Sequence, residues 1–313
     1  MKNKQTYLIL IGIMLLWGFN VSFLKIIVTS FMPVTMTSFR IFTAGITVLT
    51  ILAIIKQLRK PTLQEIKFIV FGGLLNVVGH HYFLSTGLAK TTAANGGLIL
   101  GLGPVLTAIF SIIFLNKKLT PLKLAGFLLG FAGVTFTVLA GGKGITSINI
   151  GDLDIFICII SQAASFMIVS KAAKIMDPRL LTGYMLIFGS FILFGLGLWT
   201  EPGGLASMAT GSLTVWACFF ASAVFATAVG HMTYNSVIGK AGAAEASIFM
   251  NLNTFFALLG SALLLGEKIL PAHFIGLLLI IGGVLLGSGA IEELRTRSRN
   301  RRQRQEEQAK LHG

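Results

Sequence analysis

The sequence predicts an all-α integral membrane protein whose ten transmembrane helices form two inverted five-helix repeats. The mean hydropathy of the 313-residue chain is +0.84, and only 12% of its residues are charged, whereas soluble domains are about a quarter charged. Its polar residues separate apolar runs of about 20 residues, the length at which a helix crosses a bilayer. The two halves of the chain also resemble each other.

The internal repeat aligns residues 81–137 with 231–287 at a constant offset of 150, and 14 of the 57 pairs are identical. An earlier stretch repeats at an offset of 145, which pairs Trp17 with Gln162. Duplicated apolar bundles are typical of secondary transporters, with the substrate site between the repeats. We divide the chain into a first five-helix repeat, a second, inverted five-helix repeat and a basic cytoplasmic tail, at residues 1–145, 146–290 and 291–313.

We number the ten apolar runs as spans 1 to 10. Span 1 is too long for the apolar core of a signal peptide and is read as a permanent span. Prolines precede or open spans 2, 5, 7 and 10, because a missing N–H costs little at a helix start. Pro104 instead falls inside span 4 and predicts a kink or break. The predicted spans are 7–28, 35–55, 67–87, 92–115, 121–140, 151–170, 180–199, 212–234, 241–265 and 271–290.

The Lys and Arg residues predict the orientation of the chain. With the N-terminus inside, twenty of the 25 lie on cytoplasmic segments and three lie outside, at Lys90, Lys143 and Lys268. Cytoplasmic loops carry such an excess. Because each repeat has an odd number of spans, the second enters the membrane inverted, and inverted repeats provide a physical basis for alternating access. We predict a multi-pass cell-membrane protein with both termini cytoplasmic. Most of the basic residues behind the net charge of +14 lie on the predicted cytoplasmic side. We therefore expect them to meet anionic lipid rather than nucleic acid.

Several short motifs carry a family resemblance. They are Leu16-Trp17-Gly18, Ser38-Phe39-Arg40-Ile41-Phe42, Leu265-Gly266-Glu267-Lys268, Pro271 and Gly276 with Gly282-Gly283-Val284. In this order and spacing the chain resembles the drug/metabolite transporter superfamily, specifically its EamA family, over residues 7–290. The resemblance implies secondary transport, often export, of small metabolites such as amino acids or of toxic compounds. The chain departs from the family at Lys117, the first-repeat counterpart of Glu267, where an acidic residue is common.

Polar or aromatic residues at membrane depth are the substrate-binding candidates. Arg40 in span 2 could hold a carboxylate through two hydrogen bonds; an Arg that snorkels outward is the alternative. Trp17 lies in mid-span, away from the interface that Trp usually occupies, and either lines a cavity or packs between helices. Amides at this depth indicate a wet cavity or hydrogen bonds between helices. They are Asn76, Gln162, Asn251 and Asn253.

Three titratable residues are proton-coupling candidates. Glu245 lies near the inner end of span 9, where a partly buried carboxylate could exchange protons; pairing with Lys240 or solvation is the alternative. His81 and His231 are related by the repeat, and histidine titrates in the physiological range. A hydrogen-bonded structural histidine is the alternative role. No third ligand has the spacing of a metal site, so no metal is expected.

These features predict an alternating-access secondary transporter of small organic metabolites, an exporter that proton coupling could drive. An uncoupled facilitator or exchanger would use the same residues. An intramembrane enzyme is the rival class, but the chain has no Gly-x-Ser-x-Gly, no His-Glu-x-x-His and no paired intramembrane Asp. Because the sequence contains no P-loop, the energy for transport must come from gradients or from exchange. The expected partners are a small-molecule substrate, the lipid bilayer and protons, with no cofactor, no nucleic acid and no required second chain.

Overall fold

The computed structural model describes residues 2–28, 30–91, 93–140, 149–266 and 268–292. Within these residues, nine helices are long and apolar enough to cross a membrane, and Pro271–Gly287 is a shorter apolar helix. The predicted bundle of ten helices is therefore confirmed. Glu267 and most of the predicted cytoplasmic tail, from residue 293 on, lie outside the described residues.

The helices begin and end close to the predicted positions. Pro33, Pro121, Pro178 and Pro271 are the first residues of spans 2, 5, 7 and 10. Span 8 runs seven residues past its predicted end and stops at Gly242, whose φ of 102° favours glycine. In order, the spans are Lys2–Ile27, Pro33–Ile54, Leu63–Lys90, Ala93–Gly101 continued by Gly103–Leu115, Pro121–Ala140, Ile150–Ala172, Pro178–Thr200, Leu213–Ala241, Ala243–Leu264 and Pro271–Gly287, with a short helix Gly204–Met208 between spans 7 and 8.

Helices that correspond in the two halves have corresponding neighbours. Span 5 packs along span 10, and span 2 packs along span 7. Span 1 packs on spans 8 and 9, while span 6 packs on spans 3 and 4. Because span 6 is the counterpart of span 1, and spans 8 and 9 are the counterparts of spans 3 and 4, exchanging the halves reproduces these contacts. The repeated sequence thus folds into a repeated packing scheme around a shared centre.

Glycines bring spans 5 and 10 into direct backbone contact. A Cβ atom placed on Gly283 would lie 2.5 Å from the backbone nitrogen of Gly130, and one on Gly133 would lie 2.7 Å from the backbone nitrogen of Ile280. Gly126 meets the backbone of Gly287 in the same way. Small residues at four-residue spacing let membrane helices approach closely. Gly126 and Gly130, four residues apart in span 5, provide this close contact.

The regular helices are interrupted in spans 3, 4, 8 and 9. Span 3 contains a π-helical segment at Gly73–Gly79, and span 8 contains one at Ser222–Val229. At an offset of 150 the two segments coincide to within one residue. Span 4 breaks at Leu102, two residues before Pro104, and span 9 includes a 3₁₀ turn at Ile248–Met250. Such π segments are frequent at functional sites. Their positions in spans 3 and 8 therefore indicate a candidate functional site where these two spans lie.

Candidate functional site

A buried polar cluster lies where spans 1, 2, 3, 6 and 8 meet. The π segments of spans 3 and 8 pack against spans 6 and 2 at this point, and side chains from both repeats converge there. We call this group the central cluster. It consists of Trp17, Arg40, His80, His81, Gln162, Thr227 and His231.

Trp17 is fixed in this cluster by a hydrogen bond to the irregular part of span 8. Its indole Nε1–H donates to the backbone oxygen of Ala226, 2.8 Å away, inside the π segment. The ring packs against His231 and Tyr234, each with its centroid 5.0 Å away. Trp17 therefore forms a wall that is aromatic on one side and polar at the edge.

The structure brings the two repeat-related histidines together. The ring centroids of His81 and His231 are 5.8 Å apart, and His80 lies 4.7 Å from His81. Nδ1 of His231 lies 3.1 Å from the backbone oxygen of Thr227. Since a carbonyl oxygen only accepts, this nitrogen carries the hydrogen. Among the described residues, Nε2 of His81 is buried without a hydrogen-bond partner.

Span 6 contributes the opposite wall of the cluster. Nε2 of Gln162 lies 3.4 Å from Nε2 of His80, and the Sγ atom of Cys158 lies 3.1 Å from Nδ1 of His80. The side-chain amide of Asn76 in span 3 also donates a hydrogen bond to the hydroxyl of Ser165 in span 6, over 2.8 Å. Gln162 is the repeat counterpart of Trp17, and each contacts a histidine of the other half. The correspondence between the two halves therefore extends to the side chains of the central cluster.

Arg40 is the charged group of the cluster, and it does not snorkel. The side chain is 3% exposed, and its Nη1 donates to the hydroxyl of Thr227 over 2.6 Å. Its Nε is buried without a partner, and no carboxylate of the described residues lies within ion-pair distance. His80, His81 and His231 lie within its electrostatic reach. An unpaired buried cation is costly unless something compensates it.

The remaining candidates lie outside the central cluster. Glu245 forms an ion pair with Lys123 of span 5 at 2.9 Å, not with Lys240. Asn251 is 2% exposed and lies against Gly130 of span 5, where a Cβ atom would collide with its amide. Both side-chain polar atoms of Asn251 and Oδ1 of Asn253 lack a partner among the described residues. Asn251 and Asn253 remain predictions as substrate-lining residues, and Glu245 remains a prediction as a coupling residue.

One member of the cluster, Thr227, and two of its neighbours, Cys158 and Tyr234, are not among the site residues predicted from the sequence. Thr227 accepts a hydrogen bond from Arg40, and Cys158 contacts His80. Tyr234 packs between Trp17 and Phe166, and its buried hydroxyl has no partner among the described residues. Thr227 and Tyr234 are four residues before and three residues after His231, on the same face of span 8. This spacing relative to His231 is a sequence signal that could have identified both residues. The contact of Cys158 depends on packing between spans 3 and 6, which local sequence does not encode.

Comparisons with known proteins agree with this architecture. The family described as the EamA-like transporter family matches residues 4–139 and again residues 149–289. The uncharacterized transporter YyaM of Bacillus subtilis (strain 168) is 30% identical over 297 residues, covering 93% of this chain and 96% of that protein. The WAT1-related protein At3g02690, chloroplastic, of Arabidopsis thaliana is 24% identical, covering 86% of this chain and 66% of that protein. A solved crystal structure at 18% identity superposes with a TM-score of 0.78, covering 93% of this chain and 99% of that one.

Proposed function

The chain belongs to the EamA-like transporter family and is a membrane transporter, and from this premise we propose that its central cluster binds a small organic solute carrying a carboxylate. The observation that supports this most directly is Arg40, a buried cation without a carboxylate partner among the described residues. A solute carboxylate would form the charge-assisted, two-point contact that a guanidinium favours. Binding would then offset part of the cost of burying the charge.

The other walls of the cluster suit the apolar part of the same solute. Trp17, Tyr234 and Phe166 pack against one another as a continuous aromatic group, with centroid separations of 5.0 Å and 5.4 Å. Ligand sites typically combine aromatic side chains with a few fixed polar groups. Here the polar groups are Gln162 and the histidines. An amino acid or a related amphipathic metabolite fits this combination.

Alternating access is the proposed mode of transport. We assign residues 1–145 and 146–290 to the two repeats, the second inverted, with both termini cytoplasmic. Spans of both repeats contribute side chains to the site, among them the interrupted spans 3 and 8. In inverted-repeat transporters, broken helices at the repeat interface form the substrate site. Export is the proposed direction, in line with the prediction from the family resemblance.

Proton coupling is proposed to act through His81 and His231. Burial and the positive charge of Arg40 both disfavour a positive charge on either histidine, because an apolar interior destabilises the charged form and like charges repel at short range. A bound carboxylate offsets the Arg40 charge and makes protonation easier. Solute and proton should therefore bind together and move in the same direction, so that an outward solute gradient carries protons out. Glu245, the other coupling candidate, is not part of this proposal, because its carboxylate pairs with Lys123 outside the central cluster.

The test is a screen of small carboxylates for flux in proteoliposomes, with and without an imposed pH gradient. We compare the wild type with His231→Gln, His81→Gln and, as a control, Glu245→Gln. For a transported solute, we expect the pH gradient to change wild-type flux severalfold in the direction of proton movement. His231→Gln and His81→Gln should lose this response while retaining exchange driven by the solute, and Glu245→Gln should keep it.

Other outcomes assign the function differently. Wild-type flux that ignores the pH gradient would make the protein a facilitator or exchanger. A pH response lost only in Glu245→Gln would move the coupling site to span 9. If no carboxylate is transported but neutral or cationic solutes are, the anion-binding role of the cluster is wrong.

A further inference from the structure

A second site lies at the ends of spans 7 and 8, away from the central cluster. It is a pocket of about 660 Å³ between the loop after span 2, the loop before span 7 and the end of span 8. Four cationic side chains and one carboxylate line it, namely Arg59, Lys174, Arg179, Lys240 and Asp177. All three lining segments lie on the predicted cytoplasmic side.

Ion pairs hold the two arginines of this pocket in place. Arg179 donates to both carboxylate oxygens of Asp177, with its Nη2 2.6 Å from Oδ2, and the same Nη2 donates to Gln57. Arg59 makes a two-point contact with Glu65, with nitrogen–oxygen distances of 2.7 Å and 2.5 Å. These carboxylates balance the arginine charges, and the ion pairs fix the positions of both arginine side chains in the pocket.

The two lysines leave the pocket with net positive charge. Lys174 and Lys240 are exposed, and neither lies within ion-pair distance of a carboxylate in the part of the chain that the structure describes. Lys240 is close enough to Asp177 to act on it electrostatically, but that carboxylate is already engaged by Arg179. Two ammonium groups therefore face the pocket with donors available for an anion.

The pocket is separated from the central cluster by span 8 itself. Gly230–Ala241 is a regular α-helix, in which each residue turns by about 100°. Lys240 follows His231 by nine residues and so points to the opposite side of the helix. Ser236, which also lines the pocket, is about 140° around from His231. Substrate in the cluster would therefore not contact the pocket.

We propose that this pocket binds the phosphate group of an anionic lipid of the inner leaflet. Its arginines are held by ion pairs, its two lysines have no acidic partner among the described residues, and it lies at helix ends on the predicted cytoplasmic side. Basic pockets between membrane helices on the cytoplasmic side bind anionic head groups, and each nearby lysine strengthens the attraction. A soluble phosphate would use the same groups, so the test separates the two sources.

The test uses the full chain purified in neutral detergent. Native mass spectrometry measures retention of palmitoyl-oleoyl phosphatidylglycerol relative to the matching phosphatidylcholine, and equilibrium dialysis measures binding of radiolabelled inorganic phosphate. The pocket variant is Lys174→Gln/Lys240→Gln. The charge-matched control is Lys117→Gln/Lys118→Gln, which removes two exposed lysines of the predicted cytoplasmic side that do not line the pocket. Lys174→Arg/Lys240→Arg keeps the charge.

We expect the wild type, the control and the arginine variant to retain phosphatidylglycerol at least tenfold better than phosphatidylcholine. The pocket variant should lose this preference. Saturable binding of inorganic phosphate that is lost in the pocket variant, without lipid preference, would support the site and assign it a soluble ligand. Equal lipid retention and phosphate binding in the pocket variant and the control would overturn the proposal. A normal Tm of the pocket variant excludes unfolding as the cause.

Discussion

Replacing Arg40 by Met should reduce flux of an anionic solute by at least about thirtyfold. Removing one partner of a buried, hydrogen-bonded charge pair costs roughly 2–5 kcal/mol, and 2 kcal/mol corresponds to about thirtyfold in affinity. Arg40 is 3% exposed, and its Nε has no partner among the described residues, so the solute carboxylate would be the missing partner. The measurement is the initial rate in proteoliposomes at solute concentrations below half-saturation. Neutral solutes should be much less affected.

A second cation inside a span provides the matched control. Lys25 lies in span 1 and is exposed in the structure, so Lys25→Met removes the same charge without touching the central cluster. We expect its flux to stay within about twofold of wild type. Arg40→Lys keeps the charge but loses the planar guanidinium group. Its flux of an anionic solute should therefore lie between those of Arg40→Met and Lys25→Met. Equal flux of an anionic solute in Arg40→Met and Lys25→Met, at equal amounts of folded protein, would show that Arg40 does not bind the anion.

Replacing Gly283 by Ala should destabilise the bundle, because spans 5 and 10 have no room for a methyl group. The added Cβ atom would lie 2.5 Å from the backbone nitrogen and 2.6 Å from the Cα atom of Gly130. Backbone atoms of a packed helix cannot rotate away as a side chain can. Overpacking of this kind costs roughly 1–3 kcal/mol, and occasionally more. The measurement is the Tm and folded yield of purified protein in detergent.

Gly195→Ala in span 7 is the control, because a Cβ atom there meets nothing within 4 Å. Alanine is the better helix former by roughly 0.5–1 kcal/mol in soluble proteins, so this variant should keep or slightly raise the Tm. A Gly283→Ala protein as stable as Gly195→Ala would mean that spans 5 and 10 do not cross as closely as the structure has them.

The fold could be predicted because long-range features of the sequence encode it. The apolar runs set the number of helices, and the prolines at positions 33, 121, 178 and 271 set four helix starts. Pro104 marked the break in span 4. The π segments of spans 3 and 8 were not predictable, because they depend on how each helix packs against its neighbours. Their repeat relationship becomes visible only once the backbone is known.

The site could be predicted in part. The sequence indicates five candidate residues that the structure brings together. They are polar or aromatic residues at membrane depth, namely Trp17, Arg40, Gln162, His81 and His231. Periodicity cannot say which face of a nearly uniformly apolar helix points inward. Depth alone therefore could not distinguish these residues from Asn251, which lies against span 5, or from Glu245, which pairs with Lys123.

Accessibility of Cys158 tests most directly whether the central cluster is the transport site. This side chain is fully buried beside His80, and the other cysteine of the chain, Cys218, packs with Phe31 and Phe219 away from the cluster. In a Cys218→Ala protein, Cys158 should react slowly with a small hydrophilic methanethiosulfonate as the site opens. A saturating transported solute should slow this reaction at least tenfold. A reaction rate unchanged by a solute that the same protein transports would contradict the assignment of the site.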